Sequence, residues 1–181
     1  MAEAPTPPEA LLNAALHLLG PRRRGVEELR GRLRKKGFSA PEVANCLAWL
    51  QERDLLDDLA FSEALARDRV KLSPRSPSAL VRELVLKGIS RSVAEEAVDR
   101  AMVEEGASET GLAVAAGKSW VRKQGRRVWD ALLLEKISLD RERARRRLYA
   151  FLSRRGFRGE AAKMGMEAGI SEARKLALER D

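Results

Sequence analysis

Apolar residues recur along this chain with the period of an α-helix, and one short phrase of that pattern occurs three times: Leu29, Leu33, Gly37 and Phe38; Leu80, Leu84, Gly88 and Ile89; Leu148, Leu152, Gly156 and Phe157. Each reads Leu-x3-Leu-x3-Gly-apolar. Two leucines four apart share one helix face, and a glycine four further on falls where a helix ends in a left-handed residue that glycine adopts at little cost. The apolar residue after it can fold back over the last turn. Cations precede each glycine (Lys35 and Lys36, then Lys87, then Arg154 and Arg155), at the helix end where the macrodipole is negative.

After each glycine the pattern restarts. Ser39, Ala40, Pro41 and Glu42 spell a capping box ahead of Val43, Leu47 and Leu50, and Ser90 or Ser92 precedes Val93, Ala97, Val98 and Ala101. In the third copy Arg158 and Gly159 replace the cap, and Ala161, Ala162 and Met166 form a weaker stripe. A further helix is predicted upstream of each phrase. Thr6, Pro7, Pro8 and Glu9 open a run through Leu11, Leu12, Ala15, Leu16 and Leu19; Asp57 or Asp58 caps Leu59, Phe61, Leu65 and Val70; Ser108 and Glu109 open Leu112, Ala115, Trp120 and Val121. Breaks fall at Gly20-Pro21 and at Ser73-Pro74-Arg75-Ser76-Pro77.

The expected fold is therefore all-α: three tandem three-helix repeats, helix-turn-helix-like, with an extended third repeat. Helix start to glycine spans 28 residues in the first repeat, 30 in the second and 48 in the third. So long a surplus is no plain loop, and Gln124 to Asp140, with Val128, Trp129, Leu132, Leu133 and Ile137, is expected to extend or add a helix. Ile170 to Leu178 reads as a final short helical run. The predicted organisation is a flexible N-terminus over 1–8, repeats over 9–56, 57–105 and 106–169, and a tail over 170–181.

Composition supports helix throughout, with 27 Ala and 26 Leu against 11 Val, 3 Ile and 2 Thr. The single Cys46 excludes an internal disulfide, and one Cys with one His, His17, cannot supply a structural zinc site. A reducing, cytoplasmic compartment fits. The longest uncharged stretch, Ala10 to Pro21, is too short to span a bilayer, and Glu3 and Glu9 precede it where a signal peptide would be positive, so no membrane partner is expected. The net charge of +8 points to nucleic acid or an acidic protein surface. That excess is uneven: residues 21–56 carry +4 and 106–181 carry +8, while 1–20 and 57–105 each carry −2. Two basic outer repeats flank a mildly acidic middle one, which suits a partner engaged at several points.

Gly117-Lys118-Ser119 resembles the end of a phosphate-binding loop, but Leu112 stands where its first glycine belongs and no strand precedes it, so a small-residue helix face is the better reading. Asp57 and Asp58 are adjacent and diverge on a helix; they suit N-capping rather than a metal pair. His17 is expected as a partly buried helix residue, Cys46 as a packed thiol, and Trp49, Trp120 and Trp129 as core or inter-repeat anchors. Arg22 to Arg24 form a basic connecting loop, equally suited to solvation and to binding. No convergent polar pocket for an enzyme is legible.

Glu27-Glu28-Leu29 through Leu33, Lys35-Lys36-Gly37-Phe38, then Leu56-Asp57-Asp58-x2-Phe61, the Arg67-x-Arg69 pair, and Leu80-x3-Leu84-x2-Lys87-Gly88-Ile89 together resemble the RecX family of bacterial RecA regulators. Leu148-x2-Phe151-Leu152-x-Arg154-Arg155-Gly156-Phe157 is similar to that family's closing repeat. Leu55 and the 73–77 turn depart from it, the first replacing a frequent aromatic residue and the second a Gly-containing turn.

The resemblance implies an elongated, curved array with no catalytic activity, no cofactor, no metal and no small-molecule substrate. It implies a cytoplasmic negative regulator that binds along the RecA–DNA filament, inhibits ATPase, strand-exchange and coprotease activities, promotes net filament disassembly and binds single- or double-stranded DNA weakly. Expected RecA or DNA contacts, chosen by charge, helical phase and resemblance, are Arg30, Arg34, Lys35 and Lys36 in the first repeat, Arg67, Arg69, Lys71 and Arg75 in the second, and Arg143, Arg147, Arg154 and Arg155 in the third. Gly37, Gly88, Gly156, Asp57, Asp58 and Phe61 are expected to be structural, and the protein to be a monomer. The alternative is a basic helical DNA-binding protein that acts without RecA.

Overall fold

In a computed structural model the described residues are 4–21 and 24–179, and they form ten helices with no strand. These are α1 (Glu9–Leu19), α2 (Val26–Lys35), α3 (Ala40–Glu52), α4 (Asp58–Leu72), α5 (Pro77–Val85), α6 (Arg91–Glu104), α7 (Glu109–Arg122), α8 (Arg126–Leu133), α9 (Leu139–Arg154) and α10 (Gly159–Leu178). The surplus of the third repeat is thus an added helix, α8. The run from Ile170 to Leu178 is no separate element: it continues α10, because alanines and glycines keep one narrow face of that helix packed along its length.

Capping follows local chemistry. Ser39 Oγ accepts from the Glu42 N–H while the Glu42 carboxylate accepts from the Ser39 N–H, and those bonds hold the Glu42 pKa below its ordinary value. Ser90 caps α6, Ser108 caps α7 and Ser138 caps α9 through side-chain oxygens. At α1, Pro8 rather than Thr6 is the N-cap; it contributes no side-chain bond, and its carbonyl accepts from the Leu11 and Leu12 N–H groups. Gly37, Gly88 and Gly156 have φ of +96°, +89° and +89°, the left-handed conformation that the repeated phrase requires.

The chain divides into two compact units, Met1–Ala66 with Val81–Arg100, and Arg67–Leu80 with Ala101–Asp181. The first has a core in which Leu11, Leu29, Leu33, Val43, Leu47 and Leu50 are sealed from solvent, with Phe38 and Trp49 packed against it. Gly88 abuts the start of α2, where a Cβ would strike the Glu27 side chain.

In the second unit α10 lies mainly on α7 and also touches α8 and α9. Bare backbone sets that approach: a Cβ on Gly117 would collide with the Gly165 carbonyl, and one on Gly165 would come within 2.8 Å of the Ala113 carbonyl oxygen. The Gly117-Lys118-Ser119 stretch is accordingly a helix-crossing point inside α7. Trp129 is buried, its indole N–H donating to the Val121 carbonyl at 2.9 Å, and Phe157, Leu148 and Leu152 are fully enclosed. Gly156 meets the start of α5, where a Cβ would strike Ser76 Oγ and lie 2.7 Å from Ala79 Cβ; beside it the Ser76 N–H donates to the Arg155 carbonyl at 2.9 Å.

Candidate functional site

Helix α9 buries Ala144, Leu148 and Leu152, and that register leaves Arg143, Arg146 and Arg147 exposed together at the i, i+3, i+4 spacing of one helix face. Helix α8 buries Trp129 and Leu132, which turns Arg127, Asp130 and Ala131, with Leu134 just past the helix end, to the side facing those arginines. Between the two helices is a groove of about 860 Å³. Its charged lining is Arg127, Arg143, Arg146 and Arg147 against Asp130 and Asp140, and its apolar lining is Val128, Ala131, Leu134 and Ala144. The acids neutralise little: Asp140 stands 3.9 Å from Arg143, and Asp130 is 3.9 Å from Arg126, both pairs well exposed. The Arg147 guanidinium lies 5.9 Å from the centre of the Trp120 ring.

The other expected contact residues fall in different environments. Arg30 is drawn to Glu27 at 3.0 Å, Arg34 donates to the Phe38 carbonyl at 2.6 Å, and Lys35 and Lys36 are exposed at the end of α2. Arg67 pairs with Glu104 at 2.8 Å and Lys71 with Glu105 at 3.0 Å, so both are committed within the protein. Arg155 donates to the Pro74 carbonyl at 2.8 Å and to Ser73 Oγ at 3.2 Å and stacks 4.5 Å over the Phe151 ring. Burial first, then the nearby charges of Arg75 and Arg69, lower its pKa. Arg69, Arg75 and Arg155, predicted in two repeats, thus gather around the 73–76 turn, where Arg155 holds the backbone. Arg154 stays exposed.

Arg24 is buried, donating to the Leu18 carbonyl at 2.6 Å and to Glu28 at 2.7 Å, and is a structural residue; Arg22 and Arg23 lie outside the described residues. His17 is exposed in the last turn of α1 instead of partly buried, because the apolar stripe of that helix runs through Leu11 and Ala15 on another face. Cys46 is fully buried, and burial pushes its thiol pKa up. Asp57 Oδ1 accepts from the Leu59 and Ala60 N–H groups at 2.7 and 3.1 Å, while Asp58 Oδ1 accepts from the Val26 N–H at 2.8 Å, reaching the start of α2. Phe61 is 5% exposed, in the same unit. Among the described residues no group of three or more His, Cys, Asp and Glu side chains could hold a metal ion, and no helix is long and apolar enough to cross a membrane.

Arg127 and Arg146 were not singled out from the sequence. Arg146 is signalled by its spacing from Arg143, but Arg127 joins only when α8 folds beside α9.

Family models described as the first and second three-helix domains of RecX match residues 12–50 and 57–98. Both matches end before the α8–α9 groove. The regulatory protein RecX of Halalkalibacterium halodurans is 35% identical over 131 residues, covering 72% of this chain and 47% of that protein. That of Prosthecochloris aestuarii is 38% identical over 87 residues, covering 48% and 58%. The chain therefore spans about half the length of these relatives, whereas 27% identity to the Chlorobaculum tepidum protein extends over 89% of each. A crystal structure of RecX from Lactobacillus salivarius superposes with a TM-score of 0.62 at 21% identity over 88% of this chain and 94% of that one, a likeness of fold.

Proposed function

The chain belongs to the RecX family, and on that premise we propose that it is a negative regulator of RecA. It binds along the RecA–DNA filament, inhibits the ATPase, strand-exchange and coprotease activities, promotes net loss of filament and touches DNA weakly. The observation that carries this reading beyond family membership is the α8–α9 groove. Four arginines beside an apolar lining, opposed by two aspartates, make a surface suited to an acidic protein face more than to bare phosphate. Lys35, Lys36 and Arg34 at the end of α2 supply a second basic contact. A ligand that binds one filament state better than another shifts the population toward it, and binding of this kind acts on the filament without chemistry of its own.

The test is RecA's ATPase on single-stranded DNA with substoichiometric amounts of this protein. Inhibition at concentrations where naked DNA stays unbound supports the reading. No inhibition at any ratio contradicts it, and an effect that follows naked-DNA binding and falls steeply with salt assigns the protein to RecA-independent DNA binding.

A further inference from the structure

We propose that the α8–α9 groove is a docking site for an acidic amphipathic helix of a protein partner. The proposal deepens the function above and rests on it for the groove's being the working surface. Two features of the groove and one of the segment that adjoins it in sequence select that occupant. The arginines outnumber the acids four to two, so the occupant carries negative charge. The lining is also apolar, through Val128, Ala131, Leu134 and Ala144, and phosphate oxygens gain nothing from such a surface.

The connection from α8 into the start of α9 leaves further apolar side chains exposed next to the groove-lining Leu134 in sequence. Leu134 is 44% exposed and lines the groove; Ile137 and Leu139, within five residues of it, are 83% and 75% exposed. Side chains of that size left in water within one short segment mark a surface that another molecule covers. An extended peptide would bring unpaired backbone groups onto an apolar lining, whereas a helix satisfies its own and presents residues i, i+3, i+4 and i+7 as one stripe. The volume of about 860 Å³ suits the apolar stripe of a short helix. Carboxylates flanking that stripe then reach Arg127 on one wall and Arg143 and Arg147 on the other.

The experiment measures fluorescence anisotropy of a labelled synthetic helix with leucines along one stripe and glutamates elsewhere, against a scrambled peptide of the same composition and an oligo-dT of similar charge. The expected result is at least tenfold tighter binding of the amphipathic peptide than of either control. Ala131→Glu, on the apolar lining, and the double variant Arg143→Glu/Arg147→Glu each weaken that binding tenfold or more while helical circular dichroism is unchanged. Leu134→Ser, at a half-exposed position outside the core, provides the same test should Ala131→Glu disturb folding. Equal affinity for the scrambled peptide, or full affinity in the Ala131→Glu and Leu134→Ser variants, overturns the proposal, as does tighter, arginine-dependent binding of oligo-dT. Because no RecA is present, loss of peptide binding with RecA inhibition intact supports the docking site and contradicts only its role in the function proposed above.

Discussion

Arg67 and Lys71 on α4 and Arg143 and Arg147 on α9 are cations with the same four-residue spacing, yet the fold treats them differently. The α4 pair faces Glu104 and Glu105, at 2.8 and 3.0 Å, and is spent on holding the end of α6. The α9 pair has one distant aspartate, an aromatic ring and an open groove. What separates a structural cation from an available one is therefore the element that packs opposite it, 37 residues away for Arg67 and absent from its own helix pattern.

That contrast breaks most completely where the groove side loses its scaffold. Gly117→Ala drives a methyl into the Gly165 carbonyl, and the expected loss is about 3 kcal/mol or more in urea unfolding, because two helix backbones must separate. Gly156→Ala combines a left-handed φ with a collision against Ser76 and Ala79 and is expected to cost about 2 to 3 kcal/mol. Gly37→Ala, at the same place in the first phrase but with nothing within 4 Å, is expected to cost about 1 kcal/mol from φ alone. Equal losses at Gly37 and Gly156 would contradict the assigned packing.

Smaller effects sharpen the comparison on the α4 side. Arg67→Glu with Lys71→Glu is expected to lower stability by about 0.5 to 1 kcal/mol, as exposed pairs do, and the loss should shrink in high salt. The smallest effect concerns Asp58, whose pKa is raised first by burial, with Asp57 and Glu27 adding to the rise and the bond from the Val26 N–H opposing it. A folded pKa above the unfolded value means that this group favours the fold most below the ordinary value of 3.8 and that the contribution is lost as pH rises through the folded pKa. Wild-type stability should therefore fall slightly relative to Asp58→Asn as pH rises above 3.8 through the folded pKa; parallel curves would contradict the assignment.

Much of the fold was legible because it is written locally. The three left-handed glycines and the Ser39–Glu42 capping box follow from spacing and cap chemistry alone, while the surplus after Gln124 announces an extended or added helix without choosing between them. Continuity of α10 was not legible, since its buried face is built from Ala161, Ala162, Gly165 and Gly169, residues whose apolar period is faint until α7 brings its own glycine to meet them. The site was legible only in part. Arg143 and Arg147 stand out by phase, but Arg155 reads the same way and turns inward to Pro74 and Ser73, and Arg127 gains its meaning from a neighbouring helix.

If the function proposed above holds, the α8–α9 arginines, not the α4 cations, carry the action on RecA. The most direct test of that claim is one titration of RecA's single-stranded-DNA-dependent ATPase with three proteins: wild type, Arg143→Glu/Arg147→Glu and Arg67→Glu/Lys71→Glu. The α9 double variant should need at least tenfold more protein for half inhibition, on the order of 1.4 kcal/mol, and the α4 double variant no more than about twofold. Equal loss in the two variants, or a larger loss in the α4 variant, would contradict the claim.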